Sequence, residues 1–338
     1  MSLAVAPLLR VGVIGLNRHG LHFIERCLAG APFQVVATFD PSNPKRQRGQ
    51  TLHTAMNSVS CGAPALADAA DDLDELIHSP DIDIAWIAHP IALHHDGLPS
   101  DLVEQLLKHN KHVVVETPLS LSTAEADRWF ALACERGRHL LVHSPRHAND
   151  DIRRAVSAVS SGELGAVRAV KWISWGYGLS PAGAPSHEPH DPRVTLICQM
   201  AHALEQLVQL VPHAPRRVIA FGEHTEALAA WIEFTNGTRA EVDIRLDSPA
   251  PLRTGWVIHS EQGGYADGRR YTLTPEGEVF DAPAPTLSPA SDDLTELARS
   301  LRNDLFDDLA STPSRTVVQL LEVISRSLSA NDFVTLPE

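Results

Sequence analysis

The stretch Arg10–Gly20, RVGVIGLNRHG, decides the fold. Its first half is a short apolar run that ends at Gly15, as a buried parallel strand does. Gly20 follows, and Leu21, Ile24 and Leu28 then recur at helical spacing as far as Gly30. A second apolar run, Gln34–Phe39, ends at Asp40. Together these predict a βαβ unit of about 30 residues with an acidic residue about 20 positions beyond the glycine turn. In such a unit the glycines let the backbone approach a pyrophosphate at a helix N-terminus, and the carboxylate accepts a hydrogen bond from a ribose hydroxyl. The expected cofactor contacts are therefore Gly15, Leu16, Asn17, Arg18 and Gly20 at the pyrophosphate and Asp40 at the adenosine ribose. Read as G-x-G-x-x-G, the turn carries Asn17 where the middle glycine belongs. Asparagine tolerates left-handed dihedrals better than most residues, and the flanking strand, helix and acid supply the context. An ordinary strand–turn–helix is the alternative on this segment alone. A carboxylate at the ribose repels a 2′-phosphate, so NAD is favoured over NADP, although Arg18, Ser42 and Lys45 could offset that repulsion.

The pattern repeats downstream. Ile82–Ala88 is an apolar strand ending at His89-Pro90, with a helix over about Leu98–His109. His112–Val115 is another, ending at Glu116-Thr117-Pro118 before a helix over Thr123–Arg136, and His139–His143 closes the series. Strands alternating with helices imply a parallel sheet with helices on both faces, and ligands bind at the carboxyl ends of its strands. Asp40, His89, Pro90, Glu116 and Thr117 all fall at such ends, which adds His89, Pro90 and Glu116 to the expected cofactor contacts.

After Arg146 the periodicity changes. A helix over Asn149–Ser160, a strand over Val167–Tyr177 and a Pro-, Gly- and His-rich loop over Leu179–Arg193 lead to an apolar helix, Val194–Leu210. Strands at Arg217–Gly222, Ala227–Thr235, Thr238–Leu246 and Gly255–Ser260 follow with few helices between them, and helices at Ser291–Ala310 and Ser314–Ser329 finish the chain. At Asn236-Gly237 a three-residue loop with Gly237 left-handed aligns Ala230, Ile232 and Phe234 with Val242, Ala240 and Thr238, and sets Glu233 opposite Arg239. The expected fold is α/β: a Rossmann domain over residues 1–145, then an α+β domain over 146–338 with a mostly antiparallel open sheet for substrate and oligomerisation.

The chain has 338 residues and a formal net charge of −14, which disfavours nucleic acid or an anionic membrane as a partner. Its four cysteines lie far apart, with Cys27 and Cys134 on what read as apolar helix faces. That pattern fits a reducing cytoplasm rather than a disulfide framework. Met1–Leu9 lacks a basic start and no apolar run is long enough to span a bilayer, so neither a signal peptide nor a membrane span is expected. The 18 histidines form no set with metal-ligand spacing, and no metal site is expected. A homo-oligomer acting on a small molecule is expected.

The order of these features resembles the Gfo/Idh/MocA family, named after glucose–fructose oxidoreductase and inositol dehydrogenase. The resemblance rests on the glycine turn with Asp40, Pro90-x-x-x-His94, Lys111–Glu116 leading into Pro118, Arg146 after the last Rossmann strand, the Gly162–Gly165 turn, His202 and the Ser325–Leu336 end. It implies an NAD(P)-dependent oxidoreductase acting on sugars, polyols and related carbinols. It also implies a Glu-Lys-Pro lysine near the nicotinamide and an Asp-x-x-x-His pair; here Thr117 stands in the lysine's place and Cys198 in the aspartate's. His202 remains, and an imidazole can serve as base near neutral pH. The implied catalytic group is then His202, with Thr117 contacting substrate oxygen and His94 as a second proton handler. For His202 the alternative is a hydrogen-bonded helix residue, and for His94 a loop residue beside His95. Arg146, Cys198 and, from the loop before the helix, His187 and His190 are the expected substrate neighbours. With the lysine gone, the alternative function is a nucleotide-binding protein of the same fold that does not turn over.

Overall fold

Strand β1 (Leu9–Ile14) passes through the glycine turn into helix α1 (Arg18–Leu28) and returns as β2 (Phe33–Phe39), the βαβ unit expected. The structure is a computed structural model that describes residues 7–42, 70, 72–89, 98–143, 150–162, 164–176, 191–222, 226–248, 253–266, 269–274, 277–280, 293–302 and 308–336. Beyond β2 come α2 (Leu73–His78), β3 (Ile84–Ile87), α3 (Leu102–Lys108), β4 (His112–Glu116), α4 (Thr123–Arg136) and β5 (Leu140–His143). The five strands form one parallel sheet in the order β2-β1-β3-β4-β5. The strand order reverses between β1 and β3, so a ligand crevice is expected outside their carboxyl ends. All four residues of β3 are buried, as a central parallel strand covered on both faces requires. The six-residue α2 is too short for periodicity to reveal. Lys111 holds its carboxyl end, donating through Nζ to the carbonyls of Ser79 and Ile82.

The chain folds as two units. The first takes in the described residues through Ser120, those from 124 to 143, and a late helix, α7 (Asp293–Arg302). That helix was expected in the second domain. Its apolar stripe, Leu294, Ala298 and Leu301, instead completes the core formed by Val11, Phe33 and Trp86.

The second unit contains α5 (Asp150–Ser160), β6 (Val167–Trp175), α6 (Pro192–Leu210), β7 (Pro215–Phe221), β8 (Ala227–Phe234), β9 (Arg239–Arg245), β10 (Arg253–Ser260), three further short strands β11 (Gly263–Ala266), β12 (Arg269–Thr274) and β13 (Gly277–Phe280), most of α8 (Asp308–Ala330), and β14 (Val334–Thr335). They build a nine-stranded sheet, β13-β12-β11-β10-β6-β9-β8-β7-β14, antiparallel except for the β6–β9 pair. The β8–β9 register pairs Ala230 with Val242, Ile232 with Ala240 and Glu233 with Arg239, and Gly237 is left-handed at φ 85°, as the three-residue loop predicts. Helices α6 and α8 share one apolar core with this sheet, through Met200, Leu204 and Leu207 on α6 and Leu320 and Ile324 on α8. Helix α8 runs through Pro313, where the sequence suggested a break. Among the described residues no helix is long and apolar enough to cross a membrane.

Candidate active site

Three side chains shape the glycine turn of the first unit. Gly15 has φ +104°, and a Cβ built there would lie 2.3 Å from Cδ2 of His89, so only glycine lets the imidazole pack against the turn. At Gly20 a Cβ would meet the Gly15 carbonyl oxygen at 1.9 Å, which fixes the close approach of helix to strand. Asn17 is extended rather than left-handed, at φ −72° and ψ −177°. It is accommodated as the N-cap of α1: its Oδ1 accepts from the N–H groups of His19 at 2.9 Å and Gly20 at 3.1 Å. Its Nδ2 donates to the Ala88 carbonyl at the end of β3. Asparagine thus replaces a glycine by bridging α1 to β3. Arg18, exposed at the first helical position, is the first-turn residue whose N–H this cap does not take.

Asp40 is buried, at 1% exposure. Its Oδ2 accepts from Leu16 N–H at 2.7 Å and its Oδ1 from Ser42 N–H at 2.8 Å. His89 Nε2 lies 3.8 Å from Oδ2. Burial works to raise the carboxyl pKa, but the His89 ring and the two N–H donors outweigh it and hold the group below the usual carboxylate range.

At the end of β4, Glu116 and Thr117 are both buried. Glu116 Oε1 accepts from His143 Nδ1 at 3.3 Å, and its Oε2 lies 3.9 Å from His19 Nδ1. The other nitrogen of His143 reaches Asp293 on α7 at 3.2 Å, and Asp293 is in turn bonded to Arg26 of α1. Burial opposes charge on His143, yet the Asp293 and Glu116 carboxylates more than compensate and push its pKa up to about 9. The Asp293 carboxyl is held well below its ordinary range: burial works to raise it, and His143 and Arg26 overcome that. Sequence inspection missed His143 and Asp293, whose only signal was a histidine at the end of the last Rossmann strand. Thr117 Oγ1 is buried, and among the described residues it has no hydrogen-bond partner.

In the second unit, α6 carries a polar row at helical spacing, Thr195, Cys198, Gln199, His202, Glu205 and Gln206, every member buried. His202 is 6% exposed, with Nδ1 3.6 Å from Glu205 Oε2. Cys198 lies one turn earlier on the same face. Gln206 Oε1 accepts from Trp256 Nε1 at 2.7 Å, tying the row to β10. Such a row on an otherwise apolar helix is a signal the sequence held, because buried polar groups need partners.

The structure therefore brings Gly15, Leu16, Asn17, Arg18, Gly20, Asp40 and His89 together around one turn, Glu116 and Thr117 at the end of β4, and Cys198 and His202 on α6. Pro90, His94, Arg146, His187 and His190 lie outside the described residues. Cys134, expected on an apolar face, is exposed because it falls on the solvent side of α4. Among the described residues no three His, Cys, Asp or Glu side chains are grouped to hold a metal ion.

A parallel sheet with a glycine turn feeding a helix N-terminus defines a Rossmann-type domain. Residues 9–144 match the Gfo/Idh/MocA family model, described as "Oxidoreductase family, NAD-binding Rossmann fold". It is 25% identical over 245 residues to a 1-carboxy-3-chloro-3,4-dihydroxycyclohexa-1,5-diene dehydrogenase of Comamonas testosteroni, covering 69% of this chain and 57% of that protein. It is 29% identical over 181 residues to a dTDP-3,4-didehydro-2,6-dideoxy-alpha-D-glucose 3-reductase of Streptomyces violaceoruber, covering 52% of this chain and 46% of that one. The chain thus spans about half the length of these relatives. An NAD-binding protein from Listeria innocua shares the fold at a TM-score of 0.79 and 17% identity, covering 97% of this chain and 96% of that one.

Proposed function

We propose that the protein is a nicotinamide-dependent oxidoreductase that moves a hydride to or from a sugar-like or other small carbonyl or alcohol substrate. The observation that carries this is the Thr117 hydroxyl, buried at the carboxyl end of β4 beside Glu116 and without a partner among the described residues. A buried hydroxyl left unsatisfied is disfavoured by about 1–3 kcal/mol, so its retention fits a position that receives a polar group of a ligand. The family supports the cofactor class. The two relatives, one a dihydroxycyclohexadiene dehydrogenase and the other a dideoxyglucose 3-reductase, support a carbinol or carbonyl carbon as the reacting centre.

The glycine turn fits a dinucleotide, since Gly15 and Gly20 draw the backbone tight around a helix N-terminus. When bound, NAD or NADP supplies or accepts the hydride at nicotinamide C4. The chain's own tasks are positioning and proton handling. The first turn of α1, with Arg18, holds the pyrophosphate. Glu116 accepts hydrogen bonds from the cofactor, and Thr117 orients the substrate oxygen. His202, with Glu205 beside it, takes or returns the substrate proton, a contribution worth ~10²–10⁴-fold in rate. Pro90 belongs with the cofactor contacts, and His94, Arg146, His187 and His190 with the substrate contacts. Trp231 and Phe221, exposed together on the outer face of the second sheet, support a homo-oligomer.

Thr117 and Cys198, in place of the family's lysine and aspartate, favour a second reading: a nucleotide-binding protein that does not turn over. Assaying NADH and NADPH consumption across sugars, polyols and keto compounds separates the two. Net cofactor turnover with a subset of the panel is expected; binding without turnover would establish the second reading.

A further inference from the structure

Basic and acidic side chains alternate along a closed path through the first unit. His19, in the first turn of α1, has Nδ1 3.9 Å from Glu116 Oε2 at the end of β4. Glu116 Oε1 accepts from His143 Nδ1 at 3.3 Å, and His143 Nε2 lies 3.2 Å from Asp293 Oδ2 on α7. Asp293 Oδ1 then accepts from Arg26, back on α1. His19 and Arg26 lie two turns apart on one face of that helix, so the path leaves α1 and returns to it. Each ring nitrogen of His143 meets a carboxylate, and an ionised carboxylate only accepts, so both nitrogens carry protons. The Glu116 carboxylate is thereby fixed in direction, with Oε1 turned to β5 and Oε2 to the first turn of α1. Stability alone does not account for such a path, because a buried ion network is often no more stable than apolar residues of the same volume.

We propose that His143 and Asp293 are positioning residues that hold the Glu116 carboxylate for the nicotinamide end of the cofactor. This rests on the nucleotide-binding part of the proposed function. The strand order sets β2, which ends at Asp40, on one side of the glycine turn, and β3 and β4 on the other. A dinucleotide that crosses the turn with its adenosine at β2 has its nicotinamide on the side of Glu116. His143 and Asp293 touch neither half of such a ligand directly; they act through the direction of one carboxylate. Their loss is therefore felt by a ligand that carries the nicotinamide riboside and spared by one that ends at the diphosphate.

The test has two arms. In the first, NADH and ADP are titrated calorimetrically into the wild type, Asp293→Asn, Asp293→Glu and His143→Gln. Positioning predicts that Asp293→Asn and His143→Gln each weaken NADH about three- to tenfold and leave ADP within about twofold. Asp293→Glu, which keeps the charge, should restore most of the NADH affinity. Should either Asp293→Asn or His143→Gln fail to fold, the other decides. Equal weakening of NADH and ADP would mean a general loosening of the unit and overturn the proposal, and so would unchanged NADH binding. The second arm uses the ligand-free protein and compares urea unfolding of Asp293→Asn, Glu116→Gln and the double variant. Because Asp293 reaches Glu116 through His143, the double variant should depart from the product of the two single effects on the folding constant by about five- to tenfold. His143→Gln should abolish that departure. Independent effects of the two changes would overturn the proposal. If the wild type bound neither NADH nor ADP, the proposed function would fall, while the unfolding cycle would still decide whether Asp293 holds Glu116.

Discussion

His143, at the end of β5, donates through Nδ1 to Glu116 at the end of β4, 3.3 Å away. Its second nitrogen meets Asp293, 150 residues further along the chain, at 3.2 Å. One imidazole thus joins two strand ends to α7, with Trp86 beside it at 4.7 Å between ring centroids. His19 approaches Glu116 and Arg26 binds Asp293, so the cation is set among two carboxylates and two further basic groups.

This arrangement predicts a pH dependence with a definite sign. The imidazole's pKa is raised from its ordinary 6.5 to about 9, so the folded protein holds this proton more tightly than the unfolded chain. Its contribution is fully present below 6.5 and is lost as pH rises through about 9. Urea unfolding of the wild type should lose on the order of 1–3 kcal/mol across that window. His143→Gln should start less stable and stay flat over it. Parallel losses in the two proteins would show that His143 is not the linked group.

Asn17 makes two kinds of bond at once, capping α1 and holding Ala88. Asn17→Ala should lower stability by about 1–2 kcal/mol, the upper range for a lost N-cap. Asn17→Gly should also free the His19 and Gly20 N–H groups for an anion and tighten NADH binding, as titration would reveal. Weaker binding by the glycine variant would mean that the cap itself helps to hold the nucleotide.

Thr117 carries a buried hydroxyl with no partner among the described residues. Thr117→Val keeps the shape and removes the hydroxyl. Stability should hold or rise by up to about 1 kcal/mol, while kcat/KM falls about three- to tenfold from the loss of one substrate contact. A destabilised variant with unchanged kinetics would place the hydroxyl in the structure and not in the chemistry.

Much of this architecture is legible in the amino-acid sequence. Gly15, Gly20 and Asp40 mark a βαβ unit by position alone, and the β8–β9 register follows from a period of two and one left-handed glycine at 237. What was not legible depends on contacts distant in sequence. The ligand-like spacing of Asp40 hid its bond to Leu16, and Asn17 looked like a tolerated substitution where it is a bridge. Helix α7 packs on the first unit through Leu294, Ala298 and Leu301, a choice its own amphipathic stripe cannot reveal. Strands β11–β13 are short and lack the sustained alternation that marks β8 and β9.

The central claim is that this chain performs nicotinamide redox chemistry with His202 handling the proton. The most direct measurement is steady-state NADH oxidation, with product formed per NADH consumed, for the wild type and His202→Ala over a panel of sugar-like carbonyl compounds. The account predicts one product per NADH in the wild type and a turnover lower by ~10²–10⁴-fold in the variant. A wild type that binds NADH yet turns over nothing in the panel, or a His202→Ala variant that remains fully active, would contradict it.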